Sequence, residues 1–401
     1  MSGLVVAVVV PAVAAATFLL QALLPGRCVA GYVTEEVPPY RRLQYKLNGV
    51  GVLAVVGLAA TAFGLLTQFA ALGALVDNAI YGVTASFSVG VLLSIAFYVR
   101  GTLLRRRAGG IVEWARCLTV DLSPAGAAAA RAAVSEFRAR TALQHFYCGV
   151  SEFNPRVMGV DVKMWLYVVG AVQLELNVAC AALYVVGSGH LVVAPLVVLS
   201  CLSFFVVEYL YNEDVHLYTY DIFRERLGFK LLWGCLCFYP WAYALPIVPL
   251  VLATASGDAV PGATSDLSPL AAACIVALFA GGWVCTRGAN YQKYCAKVGR
   301  QTCLGSRLVF VPGSDGRLVC SGFWAVSRHV NYLGEMVQAL ALALPAVLCT
   351  GSGLSLLYPL YYVLLFVPRE RDDEAMCRQK YGSVWAAYVD RVPYRIVPYV
   401  Y

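Results

Sequence analysis

Charge is what this chain has least of. Asp, Glu, Lys and Arg make up 13% of its 401 residues, against about 25% in soluble domains. Apolar residues reach 60%, and mean hydropathy is +0.70. That balance excludes a large soluble core and predicts an integral membrane protein. Histidine is scarce and scattered, at His145, His190, His216 and His329. No Cys/His group has zinc spacing, so no metal site is expected. No G-x-G-x-x-G turn follows a strand, so nothing points to a Rossmann-type nucleotide site. Repeats, low-complexity tails and long Pro/Gly/Ser linkers are missing too, and residues 1–401 are expected to form a single domain.

Basic residues are absent from every second loop. Nine apolar stretches run at about 3–24, 47–74, 80–99, 164–186, 190–207, 229–253, 268–286, 336–350 and 353–367. Most reach the roughly 17–25 residues needed to cross hydrocarbon; the last two are short and are equally readable as a re-entrant hairpin. The first lacks a basic n-region and is too long for a signal peptide, so it is expected to stay as a span. All 30 Lys and Arg fall in 25–46, 100–163, 208–230, 287–335 and the tail, and none near 75–79, 187–189, 254–267 or 351–352. The alternation predicts a lumenal or external N-terminus and a cytosolic C-terminus. The net charge of +7 then reflects topology, and no nucleic-acid partner is expected. None of the 14 cysteines lies in a loop without Lys or Arg, which argues against a disulfide framework. Cys235 and Cys237, inside one span, read as small buried hydrophobes.

Polar features stand out against this background. Segment 100–163 is the one long hydrophilic insert, with an amphipathic helix expected over Pro124–Thr141 behind Ser123. Gly313, Asp315 and Gly316 predict a tight turn between Arg307–Val311 and Arg317–Cys320. Glu208, Glu213, Asp214 and Asp221 crowd between two spans, as an ion network with Arg224 and Arg226 or as the rim of a ligand site. Tyr243 follows in a span beside Pro240 and needs a polar partner or cavity. Lys293 and Lys297 share one helical face after a span, as snorkelling lysines or as phosphate ligands. Asp372-Asp373-Glu374, flanked by Arg369 and Arg371, reads singly as a solvated helix N-terminus. Trp324, Tyr332, Trp385 and Tyr388 read singly as an interfacial belt.

Taken together, the blocks resemble the sterol reductase family of Δ7-, Δ14- and Δ24(28)-sterol reductases and the lamin B receptor. The carriers are SGFWAVSRHVNYLGE (321–335), the acidic triplet with CRQKYG, W-x-x-Y and VPYRIVPYVY in the tail, EFNPR (152–156) and NEDVHLYTYDI (212–222). PGRCVAG and LQYKLNG add weaker support. The similarity is dense from about 145 onward, which divides the chain into divergent spans and insert (1–140) and a reductase core (141–401).

The resemblance implies an all-α polytopic bundle of about 9–10 transmembrane helices in the endoplasmic reticulum, with a cytosolic cofactor pocket in the C-terminal half. It implies NADPH as cofactor and a sterol held in the bilayer, with membrane lipids and other sterol-pathway enzymes as neighbours. Carried onto matching positions, the cofactor contacts are Lys293, Lys297, Val319, Trp324, Asn331, Tyr332, Asp373, Cys377, Arg378, Gln379, Lys380, Tyr381 and Tyr388. Reducing an isolated ring alkene needs protonation toward a tertiary carbocation before hydride arrives, and Asp373 and Tyr243 are the proton-relay candidates. EFNPR, GFKLLWG and ANYQK favour the Δ7 branch; LQYKLNG and RVPYRIVPYVY favour Δ14 as the alternative. Pro368, Asp372, Cys235 and Pro246 depart from the family's pattern, which keeps a catalytically impaired sterol-binding protein open. An isoprenylcysteine-type methyltransferase shares parts of the tail but not EFNPR or NED.

Overall fold

Lipid offers the backbone no hydrogen-bond partners, so long apolar runs settle as helices. The computed structural model describes residues 3–34, 41–68, 76–107, 139–150, 154–188, 192–223, 225–256 and 266–401. Among them, eight helices are long and apolar enough to cross a membrane. The helix expected over Pro124–Thr141 falls almost wholly outside the described residues. The chain divides into two compact units, residues 1–191 with 199–257, and residues 192–198 with 258–401.

In the first unit, α1 (Gly3–Leu23) leads through an antiparallel hairpin, β1 (Arg27–Thr34) and β2 (Arg42–Leu47), into α2 (Gly49–Leu66). After α3 (Ala79–Arg107) a second hairpin, β3 (Arg156–Val157) and β4 (Val160–Asp161), runs straight into α4 (Val162–Gly187). Every residue of α4 from Val162 to Leu174 is buried, the mark of a helix surrounded by others. Asp161 caps it, accepting from the Lys163 and Met164 amides at 3.1 Å. Next come α5 (Val193–Tyr211), whose residues up to Val198 belong to the second unit, and a broken span, Phe229–Thr254. The break comprises α6 (Phe229–Trp233), a π turn at Gly234–Phe238, α7 (Tyr239–Ala242) and α8 (Ile247–Ser256).

The basic segments of this unit gather at one end of its spans. Arg156 donates to the Gln44 carbonyl, Arg27 pairs with Asp214 at 3.2 Å, and Lys163 Nζ donates to the Asp221 carbonyl at 2.7 Å. The cation beside Asp214 thus comes from β1 rather than from the neighbouring arginines, and Arg224 lies outside the described residues. Glu213 accepts from the Gly49 amide at 2.9 Å, closing the N-terminus of α2.

The second unit contains α9 (Pro269–Lys297), a hairpin of β5 (Thr302–Cys303) and β6 (Ser306–Arg307), α10 (Val330–Thr350), α11 (Leu357–Tyr381) and α12 (Ser383–Arg391). The turn expected at 313–316 is present: Phe310 bridges Val319, and Gly313, Asp315 and Gly316 all take positive φ. Asp266 accepts from the Val193 and Ala194 amides at 2.7 and 2.9 Å, joining two segments that carry no basic residue. α9 packs most extensively against α10 because glycines let the backbones meet. A Cβ on Gly334 would stand 2.3 Å from Thr286 Oγ1 and 2.5 Å from the Gly282 carbonyl.

Two sequence expectations need adjusting. The short stretch 336–350 belongs to a 21-residue helix, because its polar start, NYLGE, is helical as well. Of the stretch 353–367, Gly353–Leu356 is a 3-10 turn and the remainder is the apolar half of α11, which continues through Pro368 into the charged tail. The acidic triplet therefore lies in a helix interior, not at a helix N-terminus, and Glu374 is buried. A mid-helix proline forgoes one backbone hydrogen bond, yet the helix runs on past it.

Candidate functional site

Two helix ends and the tail supply the site. Asn331 and Tyr332 occupy the first turn of α10, tied to α9 at two points. The Asn331 carbonyl accepts from Thr286 Oγ1 at 3.1 Å, and its Nδ2 donates to Asn290 Oδ1 at 3.2 Å. The 3-10 turn Gly322–Ala325 lays Trp324 against the same stretch of α9. Its indole donates to the Ala289 carbonyl at 2.9 Å, and Lys293 Nζ lies 5.6 Å from the ring centre, within cation–π range. Val319 is buried in the same cluster as Trp324. One turn beyond Lys293, Lys297 lies within electrostatic reach of Lys293, Lys380, Asp373 and Cys377.

Arg328 and Glu374 fix the tail to this frame. Arg328 is buried, pairs with Glu374 at 3.2 Å and donates to the Val392 and Pro393 carbonyls at 2.7 and 2.9 Å. Glu374 also takes hydrogen bonds from Arg378 at 3.2 Å and from the Trp385 indole at 3.3 Å. Burial pushes the Glu374 carboxyl up. The Arg328 charge and the bonds from Trp385 and Arg378 outweigh it, so the group sits below the usual carboxylate range and stays ionised. Tyr388 is buried with Trp385, Val311 and Cys320, and Cys377 and Tyr381 pack on that cluster. Burial pushes the Cys377 thiol up to about 12 and raises the Tyr388 phenol, so both are neutral at physiological pH.

His329 stood in the SGFWAVSRHVNYLGE block, but sequence reasoning assigned it no role. Its ring stacks on Tyr332 at 5.0 Å, and Tyr332 stacks in turn on Phe366 at 4.3 Å. Nε2 is buried without a hydrogen-bond partner and faces Asp373 Oδ2 at 4.0 Å. Burial, then the charges of Lys293 and Arg328, push the imidazole down to about 3. It is therefore neutral, and its approach to Asp373 is not an ion pair. Asn331 Oδ1 is likewise buried and unpartnered. A search for zinc spacing had no way to find His329; its place directly after Arg328 was the available signal.

The fold thus gathers Lys293, Lys297, Val319, Trp324, Asn331, Tyr332, Asp373, Cys377, Lys380, Tyr381 and Tyr388. Arg378 is held by Glu374 with its side chain 70% exposed, and Gln379 is exposed. Tyr243 belongs to the first unit, where its ring contacts Phe205 at 6.1 Å, Phe238 at 6.4 Å and Tyr239 at 4.7 Å.

Comparison with known proteins shows which family the chain belongs to. Residues 8–401 match the model of the ergosterol biosynthesis ERG4/ERG24 family. The chain is 29% identical to a Delta(14)-sterol reductase of Arabidopsis thaliana over 94% of its length and 91% of the relative's. It is 32% identical to the Delta(14)-sterol reductase TM7SF2 of Mus musculus, over 94% of this chain and 82% of that one. A probable 7-dehydrocholesterol reductase of Acanthamoeba polyphaga mimivirus is 29% identical over 62% of this chain and 55% of its own. A helical membrane protein matched from residue 8 to residue 401, the chain belongs to the ERG4/ERG24 family, the membrane sterol reductases.

Proposed function

We propose that the protein is an NADPH-dependent Δ14-sterol reductase. The observation that carries the branch is the extent of similarity. Relatives that match over 94% of the chain are named for the Δ14 bond, whereas the match to the relative named for 7-dehydrocholesterol covers 62%. Individual blocks had favoured Δ7; similarity over the full length favours the alternative.

The second unit suits the cofactor. Lys293 and Lys380 bring positive charge for its phosphates, with Lys297 within electrostatic reach of both. Trp324 and Tyr332 offer flat rings, and the unpartnered His329 Nε2 and Asn331 Oδ1 offer buried polar contacts. Bound there, NADPH supplies the hydride. The chain's own task is to deliver a proton to the ring alkene, and Asp373 and Tyr243 are the candidates for that relay. The sterol is drawn from the bilayer, and the basic segments face the cytosol of the endoplasmic reticulum.

Microsomes expressing the chain, given NADPH and either a Δ8,14-sterol or a Δ5,7-sterol, test the reading. Consumption of the Δ14 bond is expected. Consumption of the Δ7 bond alone would reverse the branch. Binding of both without turnover would point to Pro368, Asp372 and Cys235 as the cause.

A further inference from the structure

The two hairpins of the first unit share one level of the molecule. β1 begins four residues after α1 ends, β2 ends two residues before α2 begins, and β4 is followed directly by α4. Arg156 binds them together, donating to the Gln44 carbonyl with its guanidinium 5.5 Å from the centre of the Tyr45 ring. A layer joined covalently to the ends of three candidate spans is confined near the membrane surface.

The tip of β3–β4 is unusual. Met158 and Gly159 form its two-residue turn, with φ of +49° and +80°. Such turns place Asn, Asp or Gly at the first central position, where φ is positive, and a methionine there is strained. The residue is also 76% exposed, and Val157 beside it is 38% exposed. In water this residue would be wrong twice, in backbone and in solvation. At the boundary between headgroups and acyl chains the second penalty becomes a gain. Met158 stands four residues before Val162, no more than about 13 Å along an extended chain.

The surrounding charge has the sign that a lipid surface requires. Arg41 and Arg42 are exposed at the start of β2, while Arg27 is engaged by Asp214 and Arg156 by the hairpin contact. Residues 35–40, which include Glu35 and Glu36, lie outside the described residues.

We propose that this hairpin layer is a docking surface for anionic phospholipid. Met158 plugs into the headgroup–acyl boundary, and Arg41 and Arg42 bind lipid phosphates in the cytosolic leaflet, whose surface potential is negative. The proposal does not depend on the assignment of the sterol and cofactor sites.

The test uses the full chain in nanodiscs of phosphatidylcholine alone or mixed with phosphatidylserine. A benzophenone amino acid at position 158 should crosslink to phospholipid, read as a lipid-mass adduct. The wild type should unfold at a higher temperature with phosphatidylserine present, and Arg41→Gln with Arg42→Gln should abolish that shift. Met158→Asn separates the two environments, because asparagine suits the turn and keeps the fold. If the tip sits in lipid, the variant unfolds at a lower temperature in nanodiscs; if it sits in water, the variant is stabilised in every lipid. Stabilisation of Met158→Asn, crosslinking of position 158 to protein, or a phosphatidylserine shift that is absent or survives the arginine substitutions would each overturn the proposal.

Discussion

At the scale of single residues, burial keeps His329, Cys377 and Tyr388 neutral, while the Arg328 charge keeps Glu374 ionised against it. His329 illustrates the consequence. Its folded-state pKa of about 3 lies below the ordinary value near 6.5, so between these limits the unfolded chain binds a proton that the folded chain does not. Stability must therefore fall as pH drops below about 6.5, by up to about 1.4 kcal/mol per pH unit. His329→Asn should remove that part of the acid dependence, measured as the difference between thermal unfolding of variant and wild type from pH 7 to pH 4. An unchanged difference across that range would mean that His329 is hydrated rather than buried. The lysines allow a sharper test of ligand chemistry. Lys293→Ala combined with Lys297→Ala should weaken NADPH binding at least tenfold, and NADH binding much less, if the two ammonium groups hold phosphates. Equal affinities in variant and wild type, by fluorescence titration, would return both residues to the role of snorkelling interfacial lysines.

At the scale of elements, the contact of α9 with α10 sets the geometry of the site, since it fixes the distance from Lys293 to Tyr332. Gly334 leaves no room for a methyl group, whereas a Cβ on Gly281 would meet nothing within 4 Å. Gly334→Ala should cost about 1–3 kcal/mol and lower cofactor affinity. Gly281→Ala should leave both close to wild type, because added bulk there faces open space. Thermal unfolding and cofactor titration of the pair separate a packing role from a general intolerance of substitution in α9. The sequence made some elements easy to find and others hard. Spans were legible because their apolar runs are long and Lys and Arg mark alternate ends. β1 and β2 were not, because Arg27–Leu47 mixes charge, proline and alternating apolar residues in a way that reads as loop. The acidic triplet was misplaced because carboxylates favour helix starts on local grounds; burial of Glu374 against Trp385 and against Arg328, which is distant in sequence, overrides that preference. Distance along the chain also hid the setting of His329, because Asp373, which its ring faces, lies in α11.

At the scale of the whole molecule, the contacts within each unit agree with the alternation of basic loops. Segments 25–46, 154–163 and 208–230 touch one another in the first unit, and Asp266 joins two segments free of Lys and Arg in the second. Glycosylation sites inserted at Ser256–Ser265 should be modified, and sites at Gln301–Gly316 should not. Modification of both, or of neither, would break the topology. The π turn at Gly234–Phe238 carries one last implication, for how this chain's length can vary. Its defining bond runs from the Tyr239 amide to the Gly234 carbonyl, five residues back rather than four, so the turn holds one residue more than an α-helix needs. Removing a residue from the middle of a membrane helix ordinarily rotates everything beyond it by about 100°. Here the same deletion would restore regular winding. The broken span is thus a place where a one-residue insertion or loss between relatives can be absorbed locally, trading the present orientation of Tyr239 and Tyr243 for a straighter helix.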